Sequence, residues 1–191
     1  AHGASEGSQI SLPVYMKTIA AVYHEFGPIE SFMAHSFGGL SLVHFLENIQ
    51  HGDQYRIALI APATETVTAI DSLFKFLQLD VSIRDEFEKI IIEKGGVPSQ
   101  HYSIARALTN VHARILWVHD EDDDITPLKD VRPIMNKNLP NIEFMITKWC
   151  GYFMEGLPLG ENTIKLSLLD SKGNVVDSPY SVSERKITLK K

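Results

Sequence analysis

Among 191 residues there is a single cysteine, Cys150, so no internal disulfide can form and nothing signals an oxidising compartment; a reduced, cytoplasmic setting is the expectation. No apolar run reaches the roughly 18 residues that span a bilayer. The opening Ala1-His2-Gly3-Ala4-Ser5 lacks the basic-then-apolar order of a secretory signal, so neither a membrane span nor a targeting segment is expected. A basic surplus is also missing. The 18 Lys and Arg stand against 24 Asp and Glu, a formal charge of −6, and they are scattered rather than set in a stripe, which argues against nucleic acid as a partner. Repeats and low-complexity tracts are absent as well. What is present is the composition of a globular protein, 44% hydrophobic and 22% charged, with length enough for one ordinary domain or a domain with a small appendage.

Hydrophobic spacing divides the chain. After Ser11, placed as an N-cap, apolar residues from Leu12 to Phe26 recur at intervals of three and four, and Gly27-Pro28 stops that helix. A short strand follows from Ile29 to Ala34, then a glycine pair and a helix from about Gly39 to Ile49. His51-Gly52-Asp53 turns the chain into Tyr55 to Ala61. The nearly continuous apolar centre of that segment, Ile57-Ala58-Leu59-Ile60-Ala61, predicts a strand buried on both faces of a covered parallel sheet. Residues 64 to 108 show only amphipathic helical stretches, broken at Gly95-Gly96-Val97-Pro98. Arg114 to His119 and Ile142 to Thr147 are further strands, separated by an acidic loop and a helix start at Pro127.

Strands alternating with helices predict an α/β fold with a parallel sheet of about four strands. After Lys148 the period becomes two. Thr163 to Leu168 alternates, Asp170-Ser171-Lys172-Gly173-Asn174 turns, Val175-Val176 resumes an extended segment, and Arg185 to Lys190 alternates again. Residues 149–191 are therefore expected to be a β-rich antiparallel tail, like the end of a small immunoglobulin-like β-sandwich.

The run Phe32-Met33-Ala34-His35-Ser36-Phe37-Gly38-Gly39 carries the chemistry. A serine hydroxyl is a weak nucleophile at neutral pH; it needs an exposed Oγ, a neighbouring base and N–H donors for the developing oxyanion. A sharp strand-to-helix turn supplies the first, and it requires small residues two positions to either side of the serine, which Ala34 and Gly38 provide. The Phe37 N–H would be one oxyanion donor, aided by the positive end of the following helix.

On these residues the chain resembles the α/β-hydrolase family, in particular its lidded, esterase-like members. Ala34-His35-Ser36-Phe37-Gly38-Gly39 is similar to the family's nucleophile elbow, with alanine in place of the usual first glycine. Ala1-His2-Gly3-Ala4-Ser5 is similar to the Gly-His-Gly-x-Ser loop upstream of it. Val118-His119-Asp120-Glu121-Asp122-Asp123-Asp124-Ile125-Thr126-Pro127 is similar to the acid loop, in which the catalytic aspartate stands four residues before the proline, here Asp123. The resemblance covers residues 1–148, with 64–108 in the place of the lid. It implies hydrolysis of a carboxylic ester or similar acyl bond through an acyl-serine, with Ser36 as nucleophile, Phe37 N–H as oxyanion donor, Asp123 as acid and no cofactor. Small acyl esters are the implied substrates. Phe74, Phe76 and Phe87 of the insertion are more often helix packing than substrate contacts, but in lidded members of this family such aromatics line acyl pockets, which leaves a lipophilic substrate open.

Two departures from the pattern set a further expectation. Where the family has its Gly-His turn, this chain reads Ile146-Thr147-Lys148-Trp149-Cys150-Gly151-Tyr152-Phe153, and no histidine follows His119. The chain also opens within the loop that follows the family's fourth strand. A truncated hydrolase fragment, joined near Lys148 to unrelated β-rich sequence, is expected, inactive as the isolated chain for want of a base. Its cut sheet would expose an edge prone to self-association.

The remaining candidates take plainer roles. His35 points away from the turn and is structural; His44 and His101 are packing or surface residues. The acidic run lacks the glycine and distal glutamate of a calcium loop, so a metal-dependent hydrolase is the remoter reading. Glu47, Glu65 and Asp71 are expected as solvated charges, and Cys150 as an unreactive thiol. The alternative from another class is a non-catalytic binding or assembly module built on a degenerate hydrolase fragment.

Overall fold

The computed structural model describes residues 10–148 and the backbone of 160–167 and 182–189. Two compact units are present, 1–151 and 152–191. The first unit is built from helix α1 (Leu12–Phe26), strand β1 (Ser31–His35), helix α2 (Phe37–Leu46), strand β2 (Arg56–Ile60), helices α3 (Thr66–Phe76), α4 (Ser82–Gly95) and α5 (Ile104–Ala107), strand β3 (Arg114–Asp120), helix α6 (Arg132–Met135) and strand β4 (Ile142–Thr147). Its four strands are all parallel and lie in chain order, β1-β2-β3-β4. In the second unit β5 (Gly160–Ser167) pairs antiparallel with β6 (Val182–Leu189); the turn expected at Asp170–Asn174 and the extended Val175-Val176 lie outside the described residues. No helix among the described residues is long and apolar enough to cross a membrane.

The sheet register explains the core. Ala34, Leu59, Trp117 and Phe144 align across the four strands, as do Phe32, Ile57, Ile115 and Ile142. Because side chains alternate along a strand, these rows share one face, and their central members Ile57, Leu59, Ile115 and Trp117 are buried. They join a cluster with Leu40, Leu42, Val43 and Leu46 of α2. Every residue of α2 from Gly39 to Leu46 is buried, so this helix is enclosed by α1, the sheet and the return from the insertion rather than being amphipathic.

The other sheet face corrects the expectation of a sheet covered on both sides. Its rows run Met33–Ala58–Leu116–Glu143 and His35–Ile60–Val118–Met145, and Met33, Leu116 and Met145 are exposed. The apolar run through β2 matches two apolar environments, but the described residues cover only one. At the amino ends of the strands this open face widens into a hollow of about 780 Å³ bordered by Phe32, Arg56, Arg114 and Asn141, at the opposite end of the sheet from Ser36.

Ser11 is the N-cap residue of α1, as its place in the sequence predicts. It has the extended backbone of an N-cap and its carbonyl accepts the Tyr15 N–H, but its hydroxyl caps nothing. Helix α4 likewise ends as the sequence predicts: Gly96, at φ 78°, takes the left-handed conformation and donates its N–H to the Ile92 carbonyl.

Residues 64–108 are helical apart from one clasp. Glu65 bridges Ser103 antiparallel, the Thr66 N–H and hydroxyl both reach the Tyr102 carbonyl, and the Ile104 N–H donates to the Thr64 carbonyl. The insertion therefore leaves and rejoins the body at one point. Within it Phe74 packs edge-on against Phe87 at 5.5 Å, while Phe76 stands in solvent.

Candidate active site

Ser36 is the single residue between β1 and α2. Its backbone sits at φ 51°, ψ −123°, a region that non-glycine residues occupy at a cost of about 1–3 kcal/mol. Surrounding bonds hold it there. The Ser36 N–H continues the ladder onto the Ile60 carbonyl at 3.1 Å, and its carbonyl accepts from Gly39 at 3.0 Å and from Ala63 at 3.0 Å. The serine is half-buried, and Phe37, exposed at the first position of α2, rests its ring 5.9 Å from that of Tyr15. Because Phe37 opens the helix, its N–H is among the donors that have no intrahelical acceptor.

The close approach at the turn falls at Gly39 rather than at Gly38. A Cβ on Gly39 would lie 2.7 Å from Pro62 Cβ, whereas one on Gly38 would meet only the Tyr15 hydroxyl, at 3.4 Å. The second glycine of the pair thus lets α2 press against the loop after β2.

Asp123 lies in the loop after β3, buried and bonded on both oxygens. Its Oδ1 accepts the N–H groups of Ile125 at 2.9 Å and Thr126 at 2.8 Å, and its Oδ2 accepts the Thr126 hydroxyl at 2.8 Å. The loop is pinned from behind by His119, whose Nε2 donates to the Thr126 carbonyl at 2.5 Å while its Nδ1 accepts the Trp117 indole N–H at 3.2 Å. Asp120, also buried, receives the Asp122 N–H and the Thr147 hydroxyl. The acidic run is therefore partly structural: Asp120 and Asp123 are interior, and Glu121, Asp122 and Asp124 face water.

One loop ties the two ends together. Residues 60–63 receive Ser36 through Ile60 and Ala63, and they receive the acid loop through Ala61, whose carbonyl accepts the Thr126 hydroxyl at 3.4 Å and whose N–H donates to Val118. Ala61 itself takes φ 40°. Ser36 follows the carboxyl end of β1 and Asp123 lies in the loop after the carboxyl end of β3, strands that stand two spacings apart, roughly 10 Å. Crevices at carboxyl strand ends are where open α/β sheets bind ligands. Thr126 and Gly39 stand within the quoted motifs and Ala61 at the end of a strand run, but the sequence reading gave none of the three a role at the site. Thr126 had a signal, since Asp-x-x-Thr is a local pattern in which the aspartate caps its own backbone.

The other candidate groups fall elsewhere. His44, on α2, is fully buried, its Nδ1 2.6 Å from Glu47, and Arg106 bonds both Glu47 oxygens at 2.6 and 2.9 Å. This corrects the expectation of a solvated Glu47. Burial lowers the His44 pKa against the pull of Glu47; burial pushes Glu47 up, but bonds from Arg106 and His44 outweigh it and hold the carboxyl below its usual range. Glu65 is likewise not solvated: burial raises its pKa, opposed by the Ser103 hydroxyl at 2.8 Å and reinforced by the charge of Asp130, which burial also raises. Asp71 is exposed and pairs with Arg84. His35 closes β1 on the open face. Among the described residues no three His, Cys, Asp or Glu side chains are grouped to hold a metal ion. The Ala1–Ser5 loop, Cys150 and the place of the Gly-His turn lie outside the described residues.

No family model matches this chain, and no curated protein matches it in sequence. Solved structures do match in fold. A monoacylglycerol lipase from Paleococcus ferrophilus is similar over 80% of this chain and 72% of its own, at 20% identity and TM-score 0.51. Mouse alpha/beta hydrolase domain-containing protein 10 is similar over 78% and 65%, at 16% identity and TM-score 0.51. Puromycin hydrolase is similar over 74% of this chain, at 12% identity and TM-score 0.51, and this chain spans about a fifth of its length, 22%.

Proposed function

With part of the α/β-hydrolase fold as its frame, we propose that residues 10–148 carry the nucleophile and acid positions of a serine hydrolase acting on carboxylic esters or similar acyl compounds. The observation that carries this reading is the backbone of Ser36, at φ 51° and ψ −123° between a strand and a helix. Such a turn costs free energy that packing alone would not select, and it presents Oγ at the carboxyl end of the sheet. In the reaction Ser36 Oγ attacks the acyl carbonyl, the Phe37 N–H meets the oxyanion, and the alcohol leaves with the serine proton as the acyl-serine forms. Asp123 would orient and stabilise an imidazolium. The sequence has no histidine after His119, and His44 and His119 are committed to bonds inside the core, so turnover by the isolated chain is expected to be negligible. The apolar side chains of the insertion favour an acyl group with hydrocarbon character.

Single-turnover reaction with p-nitrophenyl butyrate and octanoate tests the reading. Slow release of about one equivalent of p-nitrophenol, faster for octanoate and absent in Ser36→Ala, supports it. Release that is unchanged in Ser36→Ala refutes it.

A further inference from the structure

His44 is a buried titratable group that the proposed chemistry leaves unused, and its surroundings divide between the body and the insertion. It lies fully buried on α2, whose residues from Gly39 to Leu46 are all interior. Glu47, on the same helix, stands 2.6 Å from its Nδ1. The remaining groups around the imidazole come from the insertion's return to the body. His101, closing the short 3-10 turn Ser99–His101, stacks on it at 6.1 Å, and Tyr102 meets it edge-on at 5.5 Å. Arg106 of α5 brings Nη2 to 3.3 Å from Nδ1 while bonding both Glu47 oxygens.

These contacts place the proton. Glu47, paired with Arg106, is a carboxylate that accepts from His44, so the neutral imidazole carries its hydrogen on Nδ1 and Nε2 is a bare acceptor. Nε2 is buried, and no hydrogen-bonding group among the described residues reaches it. A proton added there would be a donor without a protein acceptor, on a cation enclosed with the Arg106 guanidinium and the His101 ring. Among the described residues Glu47 supplies the opposing charge; burial outweighs its pull and lowers the His44 pKa. Helix α2 is locked in the core, and Ile104 and Ala107 anchor α5 there. Residues 99–103 are held more lightly. The Tyr102 carbonyl accepts from the Thr66 N–H and hydroxyl, and the Ser103 hydroxyl bonds Glu65; the bonds of Ser99 go to Glu88, within the insertion itself.

We infer that His44 is an acid-sensitive latch: with Nε2 bare it keeps residues 99–103 seated on α2, and a proton at Nε2 releases them, so that the insertion loosens at its return while the sheet stays folded. Released, the imidazolium is hydrated and its Nε2–H bonds water. Each pH unit below the ordinary imidazole value of about 6.5 favours release about tenfold until the seated form itself takes the proton, a rise of up to about thirtyfold between pH 7.5 and 5.0. Glu65 works against this. Burial raises its pKa, with the charge of Asp130 adding to the effect, so it holds a proton more readily while Ser103 is seated on it. The net rise in wild type is smaller by that amount. None of this rests on acyl chemistry at Ser36.

Amide hydrogen exchange of the full chain, followed by NMR from about pH 7.5 to 5.0 and corrected for intrinsic rates, tests the inference. The reporters are the Thr66 amide, bonded to the Tyr102 carbonyl, and the Arg106 amide, bonded to the Ser103 hydroxyl. On acidification both should lose protection at least about fivefold more in wild type than in His44→Asn, which keeps a donor for Glu47 and does not titrate. Comparison with that variant removes the part played by Glu65. Both amides should also stay less protected than Ile115, whose N–H is bonded to the Asn141 carbonyl and reports global unfolding. Arg106→Gln removes the neighbouring cation and frees Glu47 for the imidazolium, so it should shrink the acid response, and it carries the test if His44→Asn does not fold. His101→Gln should retain the response. An acid response unchanged in His44→Asn, or in Arg106→Gln where His44→Asn does not fold, overturns the inference. So does protection at Thr66 and Arg106 equal to that of Ile115 at every pH, which would confine the exposure of His44 to global unfolding. A response abolished by His101→Gln belongs to the other imidazole and also overturns it.

Discussion

Gly38→Ala and Gly39→Ala should move stability in opposite directions, although the two glycines are adjacent in one helix. Either substitution gains up to about 1 kcal/mol of helix propensity. At Gly38 the new methyl meets only the end of the Tyr15 side chain, at an ordinary 3.4 Å, so the gain survives and the variant is more stable by about 0.5–1 kcal/mol. At Gly39 the methyl lies 2.7 Å from Pro62 Cβ and 3.3 Å from its Cα, about 1 Å inside comfortable carbon–carbon contact. Pro62 cannot retreat easily, because Ala61 is bonded to Val118 and Ala63 to Ser36 on either side of it. Overpacking of this kind costs about 1–3 kcal/mol, leaving Gly39→Ala destabilised by about 0–2 kcal/mol after the propensity gain. The two variants should differ by about 1–3 kcal/mol, several degrees in Tm for a chain of this size. Urea unfolding followed by circular dichroism and by the emission of buried Trp117 reads the difference. Equal stability, or Gly39→Ala the more stable of the pair, would refute the claim that Gly39 is where helix and loop touch.

Other outcomes follow from the polar contacts. Thr126→Val removes the hydroxyl bond to Asp123 Oδ2 and should cost about 1–3 kcal/mol in a urea melt, since the lost bond is to a buried charged group; an unchanged midpoint would mean that the backbone bonds hold the loop alone. Ser103→Ala loses both the cap to the Arg106 N–H and the bond to Glu65 and should cost about 1–2 kcal/mol, with loosened exchange protection at Thr66 and Ile104 as the local readout. The pH dependence has a worked sign. His44 has a folded pKa below its unfolded 6.5, so the native state binds fewer protons and stability falls as pH drops from about 6.5 through the folded value. Glu65 and Asp130 are raised, so the native state binds more protons, and their contribution is lost as pH rises from the unfolded carboxylate value through the folded ones. Glu65→Gln, which keeps the Ser103 acceptor, should therefore flatten the loss of stability as pH rises upward from the unfolded carboxylate value; a curve identical to wild type over that interval would contradict the assignment.

Much of this arrangement was legible in the sequence, and what escaped it shares a cause. The change from a strand run to a helical period around Ser36 is local, and so is the acid-loop pattern that singles out Asp123; both reside in contiguous residues. Gly39 against Pro62 joins the first turn of α2 to the loop after β2, and no local signal distinguishes it from Gly38. The burial of Glu47 is similar: its charge reads as solvated until Arg106, far along the chain, arrives to pair with it, although His44 three residues before it in an otherwise apolar helix was a hint. The open sheet face misled for the opposite reason. An apolar run such as Ile57-Ala58-Leu59-Ile60-Ala61 reports the environment to which a strand is suited, not which elements cover it.

The measurement closest to the central claim is mass-spectrometric mapping of a fluorophosphonate adduct on the full chain, with and without added imidazole. Phosphonylation forms an Oγ–P bond, expels fluoride and needs a base for the serine proton, so a site with a nucleophile and no base should react slowly and be accelerated by imidazole. The account expects the adduct on Ser36, rate enhancement by imidazole, and neither in Ser36→Ala. Adducts spread over other serines at the same rate, or a Ser36 no more reactive than they are in the presence of imidazole, would contradict it.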